Sequence, residues 1–373
     1  MEDIGMGDSG KHTSVYFGPQ HPGVPGNIAF KLLLDGDRVV KAEAVPGFLH
    51  RGFEKMMENR TWEMNVTLSY RFCVEDPDHL EVAYALSVER IFKAEIPENA
   101  KWMRVIQCEL GRIASHLFWG HFMGGSVGLR TPAYWAVTAR EEILKWFARI
   151  SGHRVYHNLS VPGGVRFKPP EGFKDDVLKL VDYIEEVARD FEKALIGNKI
   201  FRARTKDIGR LTSKEALELG VTGPSLRGAG LAYDLRRSAP YLAYDRVKFN
   251  IPTGESGDAF DRSLVRLREV SESLKIVKQA VEELRLDNPF RVKVPLSAPV
   301  GEGVARVESA RGEYMIHVIS NGGRKPYRVR LRSMSMPLLT TAVNRILEKE
   351  EVTIADFPVI LASLDPCPPD LDR

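Results

Sequence analysis

The residue types best suited to chemistry sit in two short cysteine stretches at opposite ends of a 373-residue chain. The first runs Arg71-Phe72-Cys73-Val74-Glu75-Asp76, and the second Asp365-Pro366-Cys367-Pro368-Pro369-Asp370. Each contains C-x-x-D. A C-x-x-C at both places would present four thiolates, a strong metal signature. Here a carboxylate, Asp76 or Asp370, stands where each second thiolate would be, so half of a thiolate site remains. Each cysteine also has a plainer reading. The apolar core is the commonest place for a free thiol, which competes for Cys73 and is preferred for Cys108 on an apolar helical stretch. Cys367 lies between prolines in a polar tail, where core packing explains it less well. A third candidate is His21, in the loop Phe17-Gly18-Pro19-Gln20-His21-Pro22-Gly23-Val24-Pro25-Gly26. Prolines and glycines fix such a loop and suit it to hold a polar side chain near a ligand, a plain turn histidine being the alternative.

The rest of the chain must bring these stretches together. With 43% hydrophobic and 28% charged residues it can bury a large core. A net charge of +3 without a basic block gives no footprint for nucleic acid. Three cysteines make no disulfide framework and point to an intracellular, reducing compartment. Met1–His12 is acidic and glycine-rich, without the apolar segment of a signal peptide. The apolar stretch 114–129 is interrupted by His116, His121 and glycines and does not read as a membrane span; any membrane connection is expected through partner subunits. The loop Val221–Gly228 is glycine-rich but lacks a Walker lysine, and no G-x-G-x-x-G appears, which weighs against direct nicotinamide chemistry.

Two β-rich runs around Asp35-Gly36-Asp37 predict a hairpin over 28–45 within a small antiparallel sheet. Apolar spacing predicts helices over 78–93, 99–122, 131–150, 174–196, 213–219 and 258–286. The last carries Leu264, Leu267, Val270, Leu274, Val277, Val281 and Leu284 on one stripe. Residues 303–332 alternate around Asn321-Gly322-Gly323 as a second β-hairpin unit, and a helix near 337–348 leads to the cysteine tail. The expected fold is α+β and one integrated domain. A helical core (51–296) is flanked by an N-terminal β region (1–50) and by a β-hairpin unit with the cysteine tail (297–373).

Several stretches together resemble a known family: Phe17–Pro22, His50–Lys55, Ala83–Glu89, Glu109–Leu117, Val221–Arg227, Ala232–Arg237 and Lys325–Arg330. They are similar to the large subunit shared by respiratory complex I and the membrane-bound nickel–iron hydrogenases, from about residue 13 onward. The resemblance implies the nickel–iron hydrogenase large-subunit fold, docked on a small iron–sulfur subunit whose 4Fe-4S cluster faces this chain. No cofactor would be bound by the chain itself. Other hydrophilic and membrane subunits would hold it at the cytoplasmic face of the membrane, on an ion-pumping arm.

The sequence departs from both familiar chemistries of that family. The hydrogenases carry cysteines where Asp76 and Asp370 stand here; nickel and low-spin iron favour thiolates, so no metal is expected. The clipped extension common in hydrogenases is also not expected, since the chain ends three residues after Asp370. The quinone-reducing members carry a histidine and a tyrosine at the positions of Pro25 and Val74, so both partners of a quinone headgroup are missing. A third branch, the membrane-bound sulfane sulfur reductases of hyperthermophilic archaea, fits better. It implies passage of electrons from ferredoxin to polysulfide. A thiolate can attack a sulfane sulfur or hold it as a persulfide, and a carboxylate or histidine can supply protons. Cys73 and Cys367 would then line the cavity by the partner's cluster, with Asp76 and Asp370 beside them. Arg71 matches a family arginine close to that cluster, and His21 would act as proton donor or ligand contact. The competing expectations are a non-catalytic scaffold coupling the cluster to the pump, and a quinone- or proton-reducing relative.

Overall fold

A computed structural model describes residues 12–373; apart from His12, the Met1–His12 stretch lies outside the described residues. The chain begins with strands β1 (Thr13–Phe17), β2 (Ala29–Asp35) and β3 (Arg38–Val45), an antiparallel sheet in the order β1-β2-β3. Gly36, at φ +63, supplies the left-handed turn between β2 and β3. Strand alternation buries Phe30, Leu32 and Leu34 and exposes Lys31 and Asp35. The buried face closes over Leu338, Leu339, Val343 and Ile346 from the far end of the chain.

Five long helices follow: α1 (Pro77–Phe92), α2 (Glu98–Ser126), α3 (Arg130–Ser151), α4 (Phe173–Ile196) and α5 (Ala259–Glu283). Proline in the first turn opens α1 and Lys93, at φ 51, closes it. Helix α2, 29 residues long, is the axis of the bundle, contacted by α1, α3 and α5. Its Ile106, Leu110, Ile113 and Leu117 share a core with Ile143 and Phe147 of α3, Val181 and Ile184 of α4, and Val270, Leu274 and Val277 of α5. The stripe expected on α5 is buried, Leu264 only partly. A second stripe on α5, Arg262, Arg266, Glu269 and Ser273, is buried as well. A helix buried on two stripes needs partners for its polar groups, and these come from α2 and the C-terminal tail.

Strands β4 (Ala298–Ser309), β5 (Gly312–Gly323) and β6 (Arg328–Arg332) form a three-stranded antiparallel meander. It starts at Ala298, earlier than the expected 303, and its first tight turn is Ala310-Arg311. The Asn321-Gly322-Gly323 region leads into the second. Strand β4 lies on α1, so closely that a Cβ on Gly303 would collide with the Ser87 carbonyl oxygen. After β6, a turn of π-helix (Leu338–Ala342) and a short α-helix (Val343–Leu347) occupy the expected last helix. Two more helices then follow, α6 (Phe357–Leu364) and α7 (Pro368–Asp372). Helix α6 is apolar almost throughout, so it has no amphipathic period to reveal it. No helix among the described residues is long and apolar enough to cross a membrane.

The Gly303 contact gives a direct test of the sheet-on-helix packing. Gly303→Ala must push β4 off the α1 backbone and should cost about 3 kcal/mol. The measurement is the midpoint of denaturant unfolding; an unchanged midpoint would show the strand free to shift.

Candidate functional site

Cys73 lies in the turn before α1, and Cys367 immediately precedes α7. The fold brings them together: their thiols are within hydrogen-bonding reach of one another. Both are buried, Cys73 at 0% and Cys367 at 1% exposure. Burial, then the hydrogen bond and charge of the neighbouring Cys73, push the Cys367 thiol well above its ordinary range, so it is protonated at neutral pH.

Between the thiols and the bundle sits Arg311, from the tight β4–β5 turn. Its Nη1 lies 3.9 Å from Cys73 Sγ and donates to Ser115 Oγ of α2 at 2.9 Å. Its Nη2 donates to Glu75 and, at 3.1 Å, to Asp365 Oδ1. Burial works against its charge, but Asp365 and Glu75 outweigh burial and hold the guanidinium firmly protonated.

The two aspartates of the C-x-x-D stretches are engaged elsewhere. Asp76 Oδ1 bonds His79 Nδ1 at 2.5 Å, and its Oδ2 accepts the Ala310 amide at 2.8 Å. Burial alone would raise its carboxyl; His79 and the Arg311 and Arg112 guanidinium groups overcome this and keep it ionised. Asp370 Oδ2 accepts from Ser333 Oγ at 2.6 Å and the Ser335 amide at 3.1 Å, while burial pushes its carboxyl up. The residues of the half-thiolate site do not fit a nickel–iron centre. Their carboxylates are bound to backbone, histidine and serine, and among the described residues no group of three or more His, Cys, Asp or Glu could hold a metal ion.

Arg71 is half-buried. It donates to the Thr67 carbonyl and stacks over Tyr70 and Tyr156, at 4.9 and 5.2 Å. Tyr156, held at φ 57, is stacked on Tyr70 at 5.5 Å. Burial raises its hydroxyl; Arg51 and Arg71 pull it down while Cys73 and Cys367 push it up, so Tyr156 is within the field of both the arginines and the thiols. His21 is exposed, with Nδ1 accepting the Gly23 amide at 3.1 Å and its ring 4.0 Å from Phe17. Its loop nevertheless reaches the tail: a Cβ on Gly26 would meet Pro368 at 3.1 Å. The structure thus joins Cys73 to Cys367, sets Asp76 and Asp370 on the surrounding framework, and leaves the His21 ring against its own loop.

A polar core anchors the tail. Arg262 donates to Ser363 Oγ at 2.8 Å, and Arg266 to the Ser363 and Leu364 carbonyls at 2.8 and 3.1 Å. Arg266 therefore pairs carbonyls at the C-terminal end of α6, while Arg262 holds the Ser363 side chain there. Cys367 itself is fixed by its amide, which donates to Ser335 Oγ at 2.8 Å. Behind Arg311, His116 bonds Glu269 at 3.0 Å, and Glu269 bonds Arg227 at 2.7 Å. Glu109 is paired with Arg236 at 3.0 Å; burial opposes its charge, but Arg236 and Arg112 hold its carboxyl down to about 2. Sequence reading misses Arg311, Tyr156 and the tail anchors Arg262 and Arg266. The A-R-G turn is no different from many others, and only the three-dimensional turn aims its arginine at the thiols.

Removing Arg311 should be costly because two carboxylates lose their cation. Arg311→Gln is expected to lower stability by about 3–5 kcal/mol, with Arg311→Lys recovering part of it. Denaturant unfolding of the three proteins checks this; equal stability would mean that Glu75 and Asp365 find other partners.

The chain matches the family model described as respiratory-chain NADH dehydrogenase, 49 Kd subunit, over residues 126–297 and 286–373. It is 44% identical over 369 residues to an NADH-quinone oxidoreductase subunit of Thermosipho melanesiensis, covering 97% of this chain and 99% of that one. It is 36% identical over 366 residues to a subunit of the F(420)H(2) dehydrogenase of Methanosarcina mazei, covering 96% and 97%. Among solved structures it is similar to a chain of the membrane-bound sulfane sulfur reductase, an archaeal respiratory membrane complex. That match has a TM-score of 0.94 and 40% identity, over 98% of this chain and all of the other. The chain belongs to the family of the 49 Kd subunit of respiratory-chain NADH dehydrogenase.

Proposed function

We propose that this chain is the large subunit of a complex I-like membrane oxidoreductase that reduces polysulfide with electrons from ferredoxin, coupled to ion pumping. A small iron–sulfur partner subunit would deliver the electrons from its 4Fe-4S cluster, at the cytoplasmic face of the membrane. The observation that carries the reading is the meeting of Cys73 and Cys367 beside Arg311. The likeness to a chain of the sulfane sulfur reductase complex supports it.

The chemistry uses groups on this chain. The Cys73 sulfur, as thiolate, attacks a terminal sulfane sulfur of the polysulfide dianion. The S–S bond breaks, a shortened polysulfide dianion leaves, and a cysteine persulfide remains. Two electrons and one proton then cleave the persulfide bond, releasing hydrosulfide and restoring the thiolate. Arg311, 3.9 Å from Cys73 Sγ, stabilises negative charge developing there. Cys367, held protonated by burial, is placed to supply the proton. Arg71, on the Tyr70–Tyr156 stack, lies on the side from which we place the partner's cluster, whose potential its charge would raise.

A second reading draws on the same burial. Thiols at 0% and 1% exposure suit a scaffold that only couples the cluster to the pump, with the cysteines as remnants of a metal site.

One experiment separates them: sulfide production by the purified assembly, with reduced ferredoxin as donor and polysulfide, protons or quinone as acceptor. Under the thiol mechanism, Cys73→Ser and Cys367→Ser each lower the polysulfide rate at least about tenfold, a barrier increase of roughly 1.4 kcal/mol, without disturbing assembly. Wild-type rates in the double serine variant would sink the thiol mechanism. Elemental analysis of the same assembly is expected to find no stoichiometric nickel; about one nickel per chain would reverse that reading.

A further inference from the structure

Helix α1 also walls a cleft of about 190 Å³ that the thiol chemistry does not use, with Val88 and Phe92 on its lining. Trp62 packs edge-on against Phe92 at 6.0 Å, and Val294 and Pro295 add to the apolar wall. Hydrogen bonds hold these walls in place. The Trp62 indole N–H donates to the Gly323 carbonyl at 2.9 Å, and the Trp62 carbonyl accepts the Tyr84 hydroxyl at 2.8 Å. The turn Val161–Gly164 is fixed by buried Arg104, which donates to the Val161 and Gly164 carbonyls at 2.8 and 2.9 Å. Glu89 accepts the Gly163 amide at 2.8 Å. Only glycine fits at 163, where a Cβ would lie 2.4 Å from the Val292 carbonyl oxygen and 2.8 Å from the Val294 side chain. The cleft is therefore formed by the fold itself, as binding sites for small molecules commonly are.

Two arginines and one glutamate, Arg166, Arg291 and Glu63, share this lining. The Val165 amide bonds the Phe290 carbonyl at 3.0 Å and the Val292 amide the Gly163 carbonyl at 2.9 Å, which sets Gly164 opposite Arg291. Arg166 follows two residues later, so strand alternation brings both arginine side chains to one face. Both are exposed, and neither guanidinium has an ion pair or hydrogen bond among the described residues. Glu63 is exposed as well and pairs with neither of them.

We infer that this cleft binds a small amphipathic carboxylate, a ring-sized apolar body carrying one negative charge. The ring enters beside Trp62 and Phe92, and the carboxylate pairs with Arg166 and Arg291. Size selects the body. A cavity of about 150 Å³ accepts benzene, whereas cofactors and drug-sized ligands need about 300 Å³ or more. Charge selects the head. Two unpaired guanidinium groups outnumber the single carboxylate of the lining, and a guanidinium fork matches a planar carboxylate with two parallel bonds. Glu63 repels the head and so directs it towards the arginines.

The test titrates the purified assembly calorimetrically with sodium 3-phenylpropionate and with 3-phenylpropan-1-ol, its neutral counterpart. Crystals soaked in 3-(4-iodophenyl)propionate locate the ring by the anomalous scattering of iodine. The acid should bind at least about tenfold more tightly than the alcohol, and the double variant Arg166→Gln, Arg291→Gln should remove that difference. Glu63→Gln should tighten binding of the acid alone. Iodine should lie beside Trp62 and Phe92. Equal affinities for acid and alcohol in the wild type, or iodine absent from the cleft, would overturn the inference. A partner subunit's side chain filling the cleft in the assembly would overturn it too, and make the cleft an interface. All three substituted residues are exposed and unpaired, so the variants should fold as the wild type does. None of these readouts uses sulfur chemistry, so the outcome stands apart from that of the polysulfide assay.

Discussion

A single buried cation, Arg311, holds together segments that the sequence keeps far apart. Its two terminal nitrogens reach the Cys73 turn, α2 through Ser115, and the tail through Asp365. Each of these segments arrives by a different route: the turn precedes α1, α2 is the axis of the bundle, and the tail comes last. Moving a guanidinium out of water costs several kcal/mol unless its charge and donors are matched. Here two carboxylates, a hydroxyl and a sulfur provide that match, so Arg311 stays buried only while all three segments are in place. The site is therefore a consequence of assembly, and it exists only in the native arrangement.

The same constraint extends through the interior. Arg112, Arg227, Arg236, Arg262 and Arg266 are all buried, and each finds carboxylates or backbone carbonyls. An apolar core of equal volume would be at least as stable, since desolvation absorbs most of the attraction in such pairs. What the pairs add is a fixed geometry. Misplacing α5 by one turn would leave Arg262, Arg266 and Glu269 without partners, a penalty that an apolar stripe could evade by repacking. This gives the tail a defined seat despite its few residues, and the position of Cys367 follows from that seat.

The bundle is legible in the sequence because its helices carry long apolar periods: the stripe from Leu267 to Leu284 and the runs in α1 to α4 need no tertiary information. The family is legible from motifs such as Glu109–Leu117 and Ala232–Arg237. Helix α6 is not, because Phe357–Leu364 is apolar on almost all sides and its end is closed by a left-handed aspartate, Asp365, and by the distant Arg266 rather than by a glycine. Arg311 escapes for a related reason. A turn arginine is ordinary in sequence, and its role depends on a strand pairing, Ser309 with Gly312, that positions it under the thiols. The pairing of Cys73 with Cys367 follows from two matching stretches. Their spacing does not disclose that the aspartates of those stretches face other partners.

The fold gives the C-x-x-D pattern a structural meaning of its own. Placed beside thiols, an aspartate in the position of a fourth ligand suggests a weakened metal site. In the fold, Asp76 ties His79 at the start of α1 to the Ala310 amide in the turn that carries Arg311. Asp370 ties α7 to Ser333 and Ser335, and Ser335 in turn receives the Cys367 amide. A cysteine at either position would be too weak an acceptor to replace the carboxylate, leaving a buried amide or hydroxyl short of a partner. The two aspartates are thus fasteners on either side of the thiol pair, one fixing the arginine and the other fixing Cys367. The two thiols are thereby held in register by the fold itself, through the amides of Ala310 and Cys367.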